Sequence, residues 1–324
     1  MEGKEFLRRT EHVVFVIIGT AAVAGTIIFF VFYGGDPSAI FSSRNIAFTG
    51  NTTSTDPYGT DAVTQNTRPS NDRLPERKWE VLDPAVAAQG VLIQSLDEEF
   101  PFFRYRTREA WPAASLTKLL TSVVVLESYG DQRKIPISDS AMRTEGVAGG
   151  LKSGEVYLSG DLLKVMLLTS SNRAAAAFEE FAGGKAEMAR LLNKKALEIG
   201  MRETILHDAS GLSDLNVTSA EDMYLLTKYI YEKHPEILNW TRLNNYLVQP
   251  TNTVEFRTVV NIHPFIDDKT FLGGKTGTSE AAGQNLVSIF SYKKMRIAVV
   301  ILGSPDRVKE VGAFLAWIEQ AYNW

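Results

Sequence analysis

The chain has 324 residues, enough for about two domains. Its 44% apolar and 22% charged residues match ordinary globular usage and exclude collagen-like, fibrous and wholly disordered chains. With 34 basic against 38 acidic residues the net charge is −4, so no overall basic field exists to hold nucleic acid; the absence of cysteine excludes disulfides, thiolate metal sites and a cysteine nucleophile.

In chain order, the first feature is residues 13–33, a run of 21 residues without a charge. As a helix it would cover about 31 Å, enough to cross a bilayer core. A cleaved signal peptide has a shorter apolar run and a small-residue cleavage site. Here bulky Phe29, Phe30, Phe32 and Tyr33 stand at the exit, so an uncleaved signal anchor is expected. Lys4, Arg8 and Arg9 precede the span, and only Arg44 follows within fifteen residues. That charge bias predicts a cytoplasmic tail at 1–12 and everything after Gly34 outside. Residues 34–78 follow, 45 residues of which 28 are Gly, Ser, Thr, Asn, Asp or Pro. Such a segment buries too little apolar surface to offset its ordering entropy, which predicts a flexible linker with a mean reach of roughly 35–40 Å.

From Trp79 a folded domain is expected to run to Trp324. Gly90–Leu96 and Pro101–Arg106 read as strands around the acidic turn 97–99. Leu116, Leu119, Leu120, Val123 and Val124 recur at helical spacing, with Gly130 as a stop. Asp161 is a candidate N-cap for a helix over 162–168. Further helices are expected from Arg173 to Gly183-Gly184, over 185–199 and over 220–232. Strands return at 255–262, 269–274, 285–290 and 296–302, the last two a hairpin around Tyr292-Lys293-Lys294. A closing helix over 306–322 carries Val308, Val311, Leu315 and Ile318 on one face. Strands at both ends with helices between predict an α/β fold, one sheet built from both chain ends with an inserted helical lobe.

Three short motifs carry chemistry. Ser115-Leu116-Thr117-Lys118 opens the first helix, where positions i and i+3 share a face, so hydroxyl and amine can meet. A serine hydroxyl needs an adjacent base, and a lysine amine serves only when burial or a second cation holds its pKa well below its free value. At a helix N-terminus the Ser115 N–H is also available to a developing oxyanion. The spacing alone is not specific, since Ser291-Tyr292-Lys293-Lys294 repeats it in the hairpin turn. Ser170-Ser171-Asn172 lies between two helices, where its residues serve equally as caps or as a proton relay and amide holder. Lys275-Thr276-Gly277-Thr278 ends a predicted strand, with a cation and hydroxyls suited to a carboxylate and a glycine that permits close backbone approach. A phosphate-binding loop is excluded there, because Lys269 occupies the position of its first glycine.

In this order the motifs resemble those of the penicillin-recognising serine enzymes. Ala113–Leu119, Gly150–Glu155 with Asp161–Leu163, Leu167–Asn172, His207–Leu212 with Thr218–Met223, and Gly273–Thr278 narrow the resemblance to the serine-type D-Ala-D-Ala carboxypeptidases, the low-molecular-mass penicillin-binding proteins. It covers roughly residues 80–324 and implies a transpeptidase/β-lactamase-like fold. It also implies acyl-enzyme chemistry on the D-Ala-D-Ala end of peptidoglycan stem peptides. By that resemblance Ser115 is the nucleophile, Lys118 accepts its proton, Ser170 relays a proton to the leaving amine and Asn172 positions the substrate amide and Lys118. Lys275 with Thr276 or Thr278 binds the terminal carboxylate, and Gly277 lets the strand approach. The N–H groups of Ser115 and Thr278 form the oxyanion hole. No cofactor or metal is implied. β-Lactams are implied as covalent inhibitors, and a bacterial cell membrane as the location, with residues 13–33 as anchor. Two departures stand out: Ser171 occupies a position usually held by glycine, and Thr278 one often held by an aromatic or histidine. The alternatives are a DD-endopeptidase acting on cross-linked peptide and a non-catalytic, tethered muropeptide binder. A class A β-lactamase is disfavoured, because Pro235 stands where its deacylating glutamate is needed.

Overall fold

The computed structural model describes residues 74–324. The expected anchor at 13–33 and most of the expected linker lie outside the described residues. Among the described residues no helix is long and apolar enough to cross a membrane.

Strands β1 (Gly90–Ser95) and β2 (Pro101–Tyr105) lead into helix α1 (Thr117–Tyr129). A helical lobe follows, with α2 (Ser159–Thr169), α3 (Asn172–Phe181), α4 (Lys185–Ile199), α5 (Ala220–Lys233) and α6 (Pro235–Thr241). The chain returns through a hairpin of β3 (Asn245–Val248) and β4 (Arg257–Val260), then β5 (Phe271–Ser279), β6 (Gly283–Tyr292) and β7 (Met295–Ser304). Helix α7 (Arg307–Ala321) closes it.

The main sheet has the order β5-β6-β7-β1-β2 and is antiparallel throughout, so both chain ends build it, as expected. Its central strands are buried on both faces. Leu92, Ala298, Val300 and Leu302 pack into the helical lobe, whereas their alternates Val91, Ile297, Val299 and Ile301 pack toward α7. That two-sided burial is why β1 and β7 read as continuous apolar runs. Helix α1 is buried from Thr117 through Val125, which makes it the axis of the lobe rather than a surface helix.

Several expectations are corrected. Residues 76–77, assigned to the linker by composition, pair with Tyr322–Asn323, and the Arg77 guanidinium lies 5.0 Å over the Trp317 ring. A few specific contacts there outweigh polar surroundings. Asp161 is not an N-cap: α2 begins at Ser159, and the Asp161 carboxylate accepts from Tyr246 at 2.6 Å and Lys164 at 3.1 Å. The strand expected at 255–262 is the shorter β4. It pairs with β3 outside the main sheet. On α7 the buried face carries Val311, Phe314, Trp317 and Ile318, while Val308 is 44% exposed. The glycine pair Gly273-Gly274 does not end its strand. β5 runs on to Ser279 and carries residues 275–278 in its body.

Candidate active site

The segment before α1 is held from three sides. Trp111 donates to Ala282 O at 2.8 Å, and the Ala113 N–H donates to Asn216 O at 2.8 Å. Buried Asn285 donates to the carbonyls of Pro112 (2.8 Å) and Ala113 (3.2 Å) and accepts from the Gly303 N–H at 2.8 Å. Ala114 is forced to φ 45°, a strained conformation for a residue with a side chain, and Ser115 follows in a single 3-10 turn over Ala114–Leu116. Two glycines permit this packing. A Cβ on Gly211, itself at φ +84°, would lie 1.9 Å from Ala114 O; one on Gly277 would lie 3.1 Å from both Ala113 O and Ser115 N. The close approach expected of Gly277 is therefore toward the Ser115 turn.

One helical turn on, Lys118 is fully buried. Its Nζ donates to Ser115 Oγ at 2.9 Å, to Asn172 Oδ1 at 2.8 Å and to the Ser210 carbonyl. The last two are pure acceptors. In the neutral amine they take both N–H groups and leave the lone pair facing the Ser115 hydroxyl. Burial lowers the Lys118 pKa to about 7, against a smaller upward pull from Asp208. A large fraction is therefore unprotonated near neutral pH.

The Ser210 carbonyl is held by a loop with Asp208 at its hub. That buried carboxylate accepts from the N–H groups of Ser210 (2.9 Å), Gly211 (2.6 Å) and Ser213 (2.7 Å) and from the Ser210 hydroxyl (2.9 Å). Burial opposes its ionisation, but the donors of Ser213, Gly211 and Ser210 outweigh it and hold its pKa below the ordinary aspartate value.

Ser170 ends α2 in the left-handed region, φ 57° and ψ 37°, and Ser171 caps α3 by accepting from Ala174 N at 3.3 Å. This reversal aims two neighbours at different cations. Asn172 reaches Lys118, and Ser170 Oγ accepts from Lys275 Nζ at 3.0 Å. Asn172 Nδ2 donates to Glu145 O at 3.1 Å, so of its two expected tasks the hold on Lys118 is the one seen. Lys275 also donates to Thr276 O at 2.7 Å, and its pKa lies well below the ordinary lysine value through burial, then the charges of Lys118 and Arg307. The second-cation effect anticipated for Lys118 thus falls on Lys275.

Residues 115, 118 and 172 form one hydrogen-bonded group and residues 170 and 275 a second, and the charge of Lys118 acts on Lys275 between them. Residues 276–278 continue along β5, an edge strand whose outer side has no partner strand among the described residues. Thr276 is buried and its hydroxyl joins none of these bonds. Thr278 is exposed and its Oγ1 accepts from Arg307 Nη1 at 2.8 Å. Arg307 also donates to Gly277 O at 2.9 Å and Asn285 O at 3.2 Å. Sequence reading missed four contributors: Arg307, Asn285, Asp208 and the Ser210 carbonyl. His263 lies beneath the strand, stacked 4.4 Å from Phe271. Burial, Lys275 and Arg307 push its pKa down to about 3, so it stays neutral. The decoy Lys294 sits in the β6–β7 turn, at the end of β6 away from the Asn285–Gly277 pairing.

A hydroxyl beside a buried amine, a second lysine and a strand edge therefore lie together, and comparison with known proteins gives the family. Residues 104–306 match the family described as D-alanyl-D-alanine carboxypeptidase, peptidase family S11. A D-alanyl-D-alanine endopeptidase of Haemophilus influenzae is 32% identical over 200 residues, covering 60% of this chain and 68% of the relative. A D-alanyl-D-alanine carboxypeptidase of Bacillus subtilis is 29% identical over 231 residues, covering 67% of this chain and 57% of the relative. The crystal structure of a Mycobacterium tuberculosis D-alanyl-D-alanine carboxypeptidase superposes with a TM-score of 0.69 at 22% identity, covering 75% of this chain and 94% of that one, and shares the fold. The chain belongs to the D-alanyl-D-alanine carboxypeptidase family, peptidase family S11.

Proposed function

We propose that the protein is a membrane-anchored serine D-alanyl-D-alanine carboxypeptidase that removes the terminal D-Ala of peptidoglycan stem pentapeptides. The observation that carries this is the buried Lys118 amine, whose two N–H groups are claimed by Asn172 Oδ1 and Ser210 O beside Ser115 Oγ. Ser115 attacks the carbonyl of the penultimate D-Ala while Lys118 takes its proton. The N–H groups of Ser115 and Thr278 receive the oxyanion. Ser170 relays a proton to the leaving amine, and water then releases the acyl group. The terminal carboxylate lies against Lys275, Thr276 and Thr278, with Arg307 as a further cation behind Thr278. Its arrival favours the charged form of Lys275. Gly277 keeps strand and nucleophile together, and the peptide lies along the free edge of β5 as an added strand. β-Lactams acylate the same serine. Residues 13–33 hold the protein in the cytoplasmic membrane of a walled bacterium, with residues 1–12 inside and the catalytic domain outside.

A second reading is supported by the 32% identical relative named an endopeptidase: the same residues would then cut cross-linked peptide. The test uses full-length protein in detergent. Incubation with labelled penicillin is expected to leave an adduct on the parent and none on Ser115→Ala, and a D-Ala-D-Ala pentapeptide is expected to release D-Ala. An unlabelled parent, or a Ser115→Ala variant that labels equally, contradicts the acyl-serine chemistry. Cleavage of a cross-linked dimer in preference to the pentapeptide selects the endopeptidase.

A further inference from the structure

A groove of about 460 Å³ adjoins the Ser170 end of the site. One wall is all four residues of β4, Arg257 to Val260; the other is Gly149 and Gly150, with Thr169 between. Consecutive residues of a strand point to opposite faces, so a groove touching four in a row lies along the strand's edge. The opposite edge of β4 is taken by β3, and among the described residues the backbone of β4 pairs with no other segment. The groove therefore presents unused N–H and C=O groups of an extended strand.

The walls are preformed. The Arg257 guanidinium donates to Gly150 O and to the Glu155 carboxylate, which ties β4 to the glycine turn. Phe256 and Val260 are exposed apolar side chains at its border, and Lys152 and Glu255 form an exposed ion pair, 2.6 Å apart, at its mouth. An exposed pair holds weakly and opens readily for a ligand that carries both an amine and a carboxylate. The volume falls within the range of small-molecule clefts, and β4 is as long as about three or four residues of extended peptide.

Continuity with the chemistry decides the occupant. Thr169 lines the groove, and the next residue, Ser170, accepts from Lys275 inside the site. On the acyl-enzyme reading above, Ser170 faces the leaving amine, so the groove lies on the leaving side of the scissile bond. Release of a single D-Ala fills none of this cleft, so a longer leaving group is what it can hold. We propose that this groove is a leaving-side subsite that seats the peptide strand carrying the D-centre amine of a cross-linked stem peptide, as an added strand on β4. The inference rests on the acyl-enzyme reading and extends it to cross-linked substrate. No new bond chemistry is involved: the same amide is cleaved and the amine leaves with its proton.

The test compares three rates on full-length protein: penicillin acylation, D-Ala release from pentapeptide, and cleavage of a cross-linked muropeptide dimer. Val260→Trp fills the groove and Phe256→Ala removes part of its border; neither residue belongs to the catalytic cluster. Dimer cleavage by Val260→Trp is expected to fall about tenfold or more, with a smaller fall for Phe256→Ala, while the other two rates stay within about twofold. If Val260→Trp loses all three rates, Phe256→Ala decides: a selective loss on the dimer supports the subsite, and no selective loss overturns it. A parent that cuts pentapeptide but not dimer, or dimer cleavage unchanged in both variants, overturns the subsite alone. A parent that forms no penicillin adduct overturns the acyl-enzyme reading and the subsite with it.

Discussion

In the proposed mechanism Lys118 acts as a base because it is buried, and substitution of that one residue tests it. Replacing it by Met keeps an apolar stem but leaves Asn172 Oδ1 and Ser210 O without their donor, at a cost of about 1–3 kcal/mol. Penicillin acylation by Lys118→Met is expected to fall by about 10²–10⁴, measured by stopped-flow or quenched labelling. The proposed mechanism uses the neutral amine, so the acylation rate of the parent is expected to rise as pH passes about 7 and then level off. A rate that is flat from pH 5.5 to 8.5 would contradict this. The stability sign follows. Between pH about 7 and its ordinary value of 10.5, the folded protein binds fewer protons at Lys118 than the unfolded chain, so this residue favours folding more as pH rises through that window. Arg307→Ala removes the donor that fixes Thr278 and a cation beside Lys275. Hydrogen bonds to charged groups contribute about 1.5–3 kcal/mol, so kcat/KM on the pentapeptide is expected to drop about ten- to a hundredfold, mostly through KM.

At the scale of elements, the site depends on β5 and the 208–213 loop pressing on the Ser115 turn. Gly211→Ala would set a Cβ 1.9 Å from Ala114 O on a backbone at φ +84°. The expected cost is about 1–3 kcal/mol, a Tm fall of roughly 2–10 °C by calorimetry, with slower acylation. Unchanged Tm and acylation would show that the turn yields freely. These same elements show what sequence could and could not convey. The three motifs were legible because each packs two or more side-chain donors into a short span. The Ser210 carbonyl was not, since a backbone acceptor leaves no residue-type signature; Arg307 was one arginine at an ordinary capped helix start. The extent of β5 was misread because glycines weaken strand propensity, yet here they answer to neighbours rather than to a turn. β4 was recognised as a strand, but its partner β3 and its separation from the main sheet depend on tertiary packing that periodicity does not encode.

Across the whole described domain, the sheet joins its early and late strands, so the Ser115 turn and Gly277 of β5 meet although they are far apart in the chain. That arrangement was legible from element order, because strands flanking a helical block leave few other ways to cover apolar faces. The proposed anchor is a claim of the same scale. Full-length protein is expected to sediment with membranes and to resist an alkaline carbonate wash, while deletion of residues 1–33 releases it in a form that still binds penicillin. Carbonate extraction of the full-length protein would remove residues 13–33 as an anchor.

Mass spectrometry of penicillin-treated protein reaches the heart of the account. One covalent penicilloyl group is expected, on the peptide containing Ser115, absent from Ser115→Ala and formed far more slowly by Lys118→Met. An adduct on any other residue, or equal labelling of all three proteins, would mean that the buried amine does not prime this hydroxyl.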